Sequence, residues 1–212
     1  ALTCDVNDVA PDLGFVTKKL CAVKDIVVVA QKESEGKLKD EVVTILTDTS
    51  SMIELSRRNL LLRRYTQSNF AKYRGISTSP KGLVFVKQER MHKIMLKKKW
   101  SWKQRIAGAI QLANGLHILH SQNPPLILPE LRSWVVRASL NKRDKPEVKI
   151  GISQARYVYG EPLRSILRIS GNRFRFNPPE VINSNLAIDQ RANIYSLGIL
   201  LWEIAKWDGS LP

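Results

Sequence analysis

Within Lys87–Arg105 fall eight lysines and arginines and a single glutamate, interleaved with Trp100 and Trp102. Cationic side chains neutralise phosphates, and exposed indoles stack on bases or settle at a lipid interface. Lys93, Lys97, Lys98, Lys99, Trp100, Lys103 and Arg105 therefore form a candidate surface for a polyanion or an acidic partner; the competing reading is a solvated basic turn. Arg164, Arg168, Arg173 and Arg175 form a second basic group, read either as an acidic-protein or RNA contact or as a disordered basic loop. Ser165 and Ser170 beside them are open to phosphorylation, as any surface serine is. The three histidines do not make a metal set. His117 and His120 share a helix face, yet no Cys, Asp or Glu joins them locally, so they read as core or helix-end residues. Cys4 and Cys21 have neither metal-ligand spacing nor a disulfide framework, which suits a reducing compartment, whether they form one bridge or stay free.

Around these residues lies an ordinary globular composition. The 212 residues are 43% hydrophobic and 25% charged, enough to pack a core and too apolar for wholesale disorder. The net charge of +15 makes polyanions and acidic protein faces the natural partners. No apolar run approaches the roughly 20 residues of a membrane-spanning helix. The sequence begins at Ala1 without a signal-peptide pattern and reads as a fragment.

The elements that must position such residues follow from periodicity. Residues 1–19 read as an extended lead-in. Two β-branched runs, Val27 to Ala30 and Val42 to Leu46, flank a polar connection and predict a strand pair. Ser51 and Glu54 have capping-box spacing, so a helix should follow with Leu55, Leu61 and Leu62 inward and stop near Gln67-Ser68-Asn69. Leu83 to Val86 predicts a strand. Ile106, Ile110, Ala113, Leu116 and His117 recur at helical spacing over 103–121, predicting an amphipathic helix ended by Pro124-Pro125. Trp134 to Val136 and Val148 to Ile150 predict short strands, residues 157–179 a loop-rich stretch, and Ile194 to Ile204 a helix buried on all sides.

In order, several of these segments resemble the protein-kinase fold, above all the tyrosine-kinase-like families. Lys72 to Ile76 and Leu83 to Val86 resemble the two strands before the kinase hinge. Trp102 to Ser121 resembles the helix that ends in "GLxxLHS", and Phe176 to Glu180 the "APE" close of the activation segment. Arg191 to Ile204 resembles the "DVYSFGILLWEI" helix. The resemblance implies an α+β, two-lobed fold: a small β-rich lobe over 20–88 and a helical lobe over 89–212, incomplete beyond the "DVYSFG" helix.

Phosphoryl transfer needs a phosphate cradle, a paired lysine, metal-binding groups and a carboxylate that orients the hydroxyl. Aligned by the resemblance, each position is altered. The glycine-rich loop falls at Cys21, Val23 and Ile26, with no glycine between Leu20 and Ala30. Leu46 stands where the strand lysine belongs, and residues 41–71 contain no lysine. Arg58 replaces its glutamate partner. The catalytic loop reads Leu128 to Val136, in which Glu130 keeps a carboxylate and Val135 replaces the metal-binding Asn. The "DFG" site falls at Gly151, Ile152 and Ser153, with no acidic residue between Glu147 and Glu161. Lys87 aligns with the gatekeeper and either guards the adenine pocket or points to solvent.

The resemblance therefore implies a pseudokinase with no catalytic residues, bound cofactor or metal. A protein partner is expected, for a scaffolding or allosteric role inside the cell, in the cytoplasm. The alternative is a basic subunit of a ribonucleoprotein that uses the kinase fold to contact RNA.

Overall fold

The computed structural model describes residues 15–20, 25–34, 37–46, 59–78, 81–86, 88–128, 131–152, 156–157, 176–180 and 189–209. The chain divides into two compact units, Ala1–Lys87 and Gln88–Pro212. Together they carry the mixed α and β content expected of the sequence.

The first unit is built on one antiparallel sheet. Its strands are β1 (Phe15–Leu20), β2 (Asp25–Ser34), β3 (Lys37–Leu46), β4 (Tyr73–Thr78) and β5 (Lys81–Val86), in the order β1-β2-β3-β5-β4. The β-branched runs form β2 and β3, paired from Asp25↔Leu46 to Ser34↔Lys37 across a two-residue connection. Residues 15–20, assigned mainly to the lead-in by sequence, are instead β1, aligned Phe15↔Lys32 through Leu20↔Val27. Where β4 meets β5 the register slips between Tyr73 and Gly75. Gly75 has φ 147°, which a side chain would strain, so the glycine permits this bulge.

Between β3 and β4, residues 59–63 are helical. The helix ends before the expected 67–69, because Arg64 and Tyr65 donate to the carbonyls three residues back and tighten the last turn. Leu62 is buried as predicted and Leu61 half-buried; Ser51, Glu54 and Leu55 lie outside the described residues. Tyr65 packs edge-on against Phe70, with ring centroids 5.4 Å apart. Tyr73 packs on Phe85 and donates its hydroxyl to Asn59 Oδ1 at 3.0 Å. Burial pushes its phenol up to about 12, partly offset by the charge of Arg63.

The second unit contains α1 (Met91–Lys97), α2 (Trp102–His120) and α3 (Gln190–Lys206). It also holds two small antiparallel pairs, β6 (Leu126–Ile127) with β9 (Arg156–Tyr157) and β7 (Arg137–Leu140) with β8 (Pro146–Lys149). A capping box starts α2: Ser101 Oγ accepts from Gln104 N, and Gln104 Oε1 from Ser101 N. Gln104 also donates to Asp144, tying the helix start to the β7–β8 turn.

Three expectations change here. Trp134 to Val136 is not a strand: Val135 and Val136 both donate to Arg132 O, a helical-type turn that overrides the β-propensity of paired valines. The inner face of α2 is Gly108, Leu112, Gly115, Leu116 and Leu119, whereas Ile106, Ala113 and His117 are exposed and Ile110 is 56% exposed. Close approach chose that face. A Cβ on Gly108 would stand 3.0 Å from Val148 Cγ2 and 3.4 Å from the Trp100 ring. Lastly, α3 is buried on one face only, through Ala192, Asn193, Ser196, Leu200, Glu203 and Ile204. Ile194, Tyr195, Leu201 and Trp202 are exposed, and a Cβ on Gly198 would meet nothing. Three of the six buried residues are polar because each finds a partner, as follows.

Candidate functional site

Leu128 and Ser133, in the stretch that the resemblance aligns with the kinase catalytic loop, are each hydrogen-bonded to α3. Asn193 reaches Leu128 with both ends of its amide: Oδ1 accepts from Leu128 N at 2.8 Å and Nδ2 donates to Leu128 O at 2.6 Å. An amide satisfies a backbone donor and acceptor at once; the Asp of "DVYSFG" offers acceptors only. His120 Nε2 lies 3.3 Å from the same Oδ1, and burial holds its imidazole below the usual histidine range against that hydrogen bond. Further along, Ser133 Oγ donates to Glu203 Oε1 at 3.0 Å. Glu203 is 1% exposed, and desolvation pushes its carboxyl up to about 7, with the Ser133 bond opposing. Ser196 Oγ donates to Phe176 O at 2.7 Å, fastening the "APE"-like segment to the same helix face. Sequence reading missed Asn193, Ser196 and Glu203 as supports; the signal was three polar residues at helical spacing in an otherwise apolar run.

The other side of the segment is stitched to the backbone before and within α1. Met91 N donates to Val136 O at 2.9 Å, His92 N to Ser133 O at 3.3 Å, and Ala138 N to Glu89 O at 3.0 Å.

Two of the positions that the resemblance aligns with kinase metal-binding groups meet. A Cβ on Gly151 would stand 2.7 Å from Val135 O and 3.2 Å from Val135 Cγ1, so the valine lies against the bare glycine backbone. Ile152 is fully buried. In the first unit, Leu46 is the last residue of β3, opposite Asp25, and Ile26 pairs with Ile45. Val86 ends β5, the premise for the gatekeeper alignment. Cys21, Val23, Arg58, Lys87, Glu130 and Ser153 lie outside the described residues, as do Arg164, Arg168, Arg173 and Arg175. Among the described residues no three His, Cys, Asp or Glu side chains gather as metal ligands.

The basic surface needs a correction. Trp100, chosen as an exposed aromatic, is 2% exposed and stacks on Trp207 with centroids 4.6 Å apart. Trp102, the other indole of that stretch, is 60% exposed. The cause is the end of α3: Trp207 donates its indole N–H to Lys98 O at 2.7 Å and covers Trp100, leaving the first helical residue of α2 outside. Arg105 is also spoken for, donating to Trp100 O at 3.0 Å and Ala205 O at 2.9 Å while lying over the Trp207 ring. Lys93, Lys97, Lys98, Lys99 and Lys103 are exposed, with Lys97 Nζ 3.9 Å from Glu89. The usable surface is therefore lysines with Trp102.

No family model matches the chain. It is nonetheless similar over most of its length to protein kinases. It is 22% identical over 192 residues to the probable serine/threonine-protein kinase pats1 of Dictyostelium discoideum, covering 86% of this chain and 6% of that kinase. It is 25% identical over 167 residues to the serine/threonine-protein kinase CTR1 of Arabidopsis thaliana, covering 72% of this chain and 19% of the relative. It is 26% identical over 231 residues to the probable serine/threonine-protein kinase roco11 of Dictyostelium discoideum, covering 94% and 15%. The chain thus spans less than a fifth of the length of these relatives. Such likeness, at low identity, supports the protein-kinase-like superfamily and a kinase-like fold.

Proposed function

We propose that this chain is a pseudokinase of the tyrosine-kinase-like type, a domain that transfers no phosphate and acts as a protein-interaction scaffold or allosteric regulator. The observation that carries the reading is the contact of Gly151 with Val135. These align with the two groups that hold Mg²⁺ in an active kinase, and here they are a glycine and a hydrocarbon packed together. Neither side chain offers a ligand for a hard cation. An aspartate at 151 would drive its Cβ into the Val135 carbonyl, so the packing itself excludes the missing carboxylate. Leu46 and Arg58 in place of the Lys–Glu pair, and the absence of glycine over 21–29, support the same conclusion from the other half of the machinery. The scaffold half of the reading draws on what is kept. Asn193, Ser133 and Glu203 still hold the former catalytic segment in shape.

The test is phosphate incorporation from γ-labelled ATP, with Mg²⁺ or Mn²⁺, into the chain itself and into generic protein substrates. No incorporation is expected, either by the wild type or by Gly151→Asp. The variant should also lose about 1–3 kcal/mol through overpacking. Transfer by the purified wild type would overturn the proposal. Capture of partners from native cells completes it: a partner set that survives nuclease treatment supports scaffolding. The exposure of Trp102 beside Lys98, Lys99 and Lys103 favours one second reading, a ribonucleoprotein subunit, in which nuclease would remove the partners.

A further inference from the structure

Arg90 and Arg137 sit directly opposite each other in an antiparallel bridge where the chain enters α1 and β7. Partners in such a bridge project to the same side of the pair, with Cβ atoms about 4.5–5.5 Å apart, and like charges there repel. No carboxylate pairs with either guanidinium among the described residues. The adjacent acid, Glu89, is engaged by Lys97. Burial, with Arg90 beside it, lowers Arg137 to about 10, which leaves it cationic at neutral pH.

The surroundings brace Arg90 rather than neutralise it. The Arg90 guanidinium lies 5.8 Å from the centroid of the Trp134 ring, which is 38% exposed. Trp134 is backed in turn by His92, stacked at 4.4 Å with an interplanar angle of 21°. Burial keeps the His92 imidazole below its ordinary range, so at neutral pH it braces the indole without adding charge. Two guanidinium forks on bridge-paired residues, one lying over an indole, match a dianion with several acceptor oxygens better than they match a single carboxylate.

We propose that Arg90 and Arg137 form a binding site for a phosphate group, with Trp134 and His92 as the platform that positions Arg90. The inference does not depend on whether the chain transfers phosphate, since neither arginine belongs to the altered catalytic positions. The phosphate is either the free ion or the head of a phosphomonoester.

The test is calorimetric titration at neutral pH and constant ionic strength, with inorganic phosphate in one arm and O-phosphoserine in the other. Saturable binding of at least one is expected; tighter binding of O-phosphoserine assigns the site to phosphorylated side chains, equal binding to the ion. Arg137→Met should abolish the binding, and Arg90→Gln should weaken it roughly tenfold or more by removing one charged donor fork. Lys142→Gln, in the exposed β7–β8 turn, should leave it unchanged. Without phosphate, Arg137→Met should melt no lower than the wild type, because it removes an uncompensated cation. No saturable binding to the wild type, or undiminished binding to both arginine variants, would overturn the proposal. So would an Arg137→Met protein that melts lower yet binds phosphate normally, since that marks a purely structural arginine.

Discussion

Glu203 shows how a single residue can be retained at a cost. Its carboxyl is enclosed, accepts one hydrogen bond from Ser133, and leaves Oε2 without a partner among the described residues. The folded pKa of about 7 lies above the ordinary 4.5, so between those values the folded chain keeps a proton that the unfolded chain has released. Stability therefore falls as pH rises through that window, and the full penalty, on the order of 3 kcal/mol, is present above about pH 7. Glu203→Gln still accepts from Ser133 and carries no charge to desolvate. It should be more stable than the wild type at pH 8 and nearly equal at pH 4.5. Urea unfolding at the two pH values measures this, and an equal difference at both would sink the idea. The Asn193 amide is the contrasting case: both ends are satisfied by the Leu128 backbone, and it keeps its geometry without an ionisation.

At the scale of elements, the start of α2 and the end of α3 form one structural knot. Trp207, in a left-handed conformation just past α3, stacks on Trp100 and caps Lys98 O. Arg105 closes the knot by donating to carbonyls on both sides. The two tryptophans near α2 therefore have opposite worth. Trp100→Ala removes a buried ring and should cost about 3–5 kcal/mol. Trp102→Ala should change stability by less than about 0.5 kcal/mol. Guanidinium unfolding of the two variants checks the assignment, and a large loss at Trp102 would reverse it. The same elements explain why helical spacing misled on α2. Ile106 and Ile110 are more apolar than Gly108 and Gly115, yet only the glycine face lets Val148 and Trp100 come close.

For the whole molecule, the net charge of +15 is the property most exposed to partners. Charge of this kind acts through long-range attraction and counterion release, so its signature is salt dependence. If the exposed lysines around Trp102 grip RNA, changing Lys98, Lys99 and Lys103 to Glu should abolish binding, and wild-type affinity should fall steeply with added salt. A protein partner held by packing should tolerate both. Filter binding or fluorescence anisotropy with single-stranded RNA across a salt series separates the two, and salt-insensitive RNA binding would contradict the electrostatic account.

Read alone, the sequence located the strand pair β2–β3, the strand β5, the span of α2 and the middle of α3, whose observed helix runs further at both ends, Gln190–Lys206. These are local properties: β-branched runs and helical period act over a few residues. Only the tertiary structure decided which face of each helix is buried, which tryptophan is core, and that Val135 lies against Gly151. It also decided that Arg90 opposes Arg137. The reason is that burial and pairing depend on what approaches from elsewhere in the chain. A glycine face that admits a strand displaces a more apolar face, and two arginines 47 positions apart, from 90 to 137, become neighbours only through a backbone bridge.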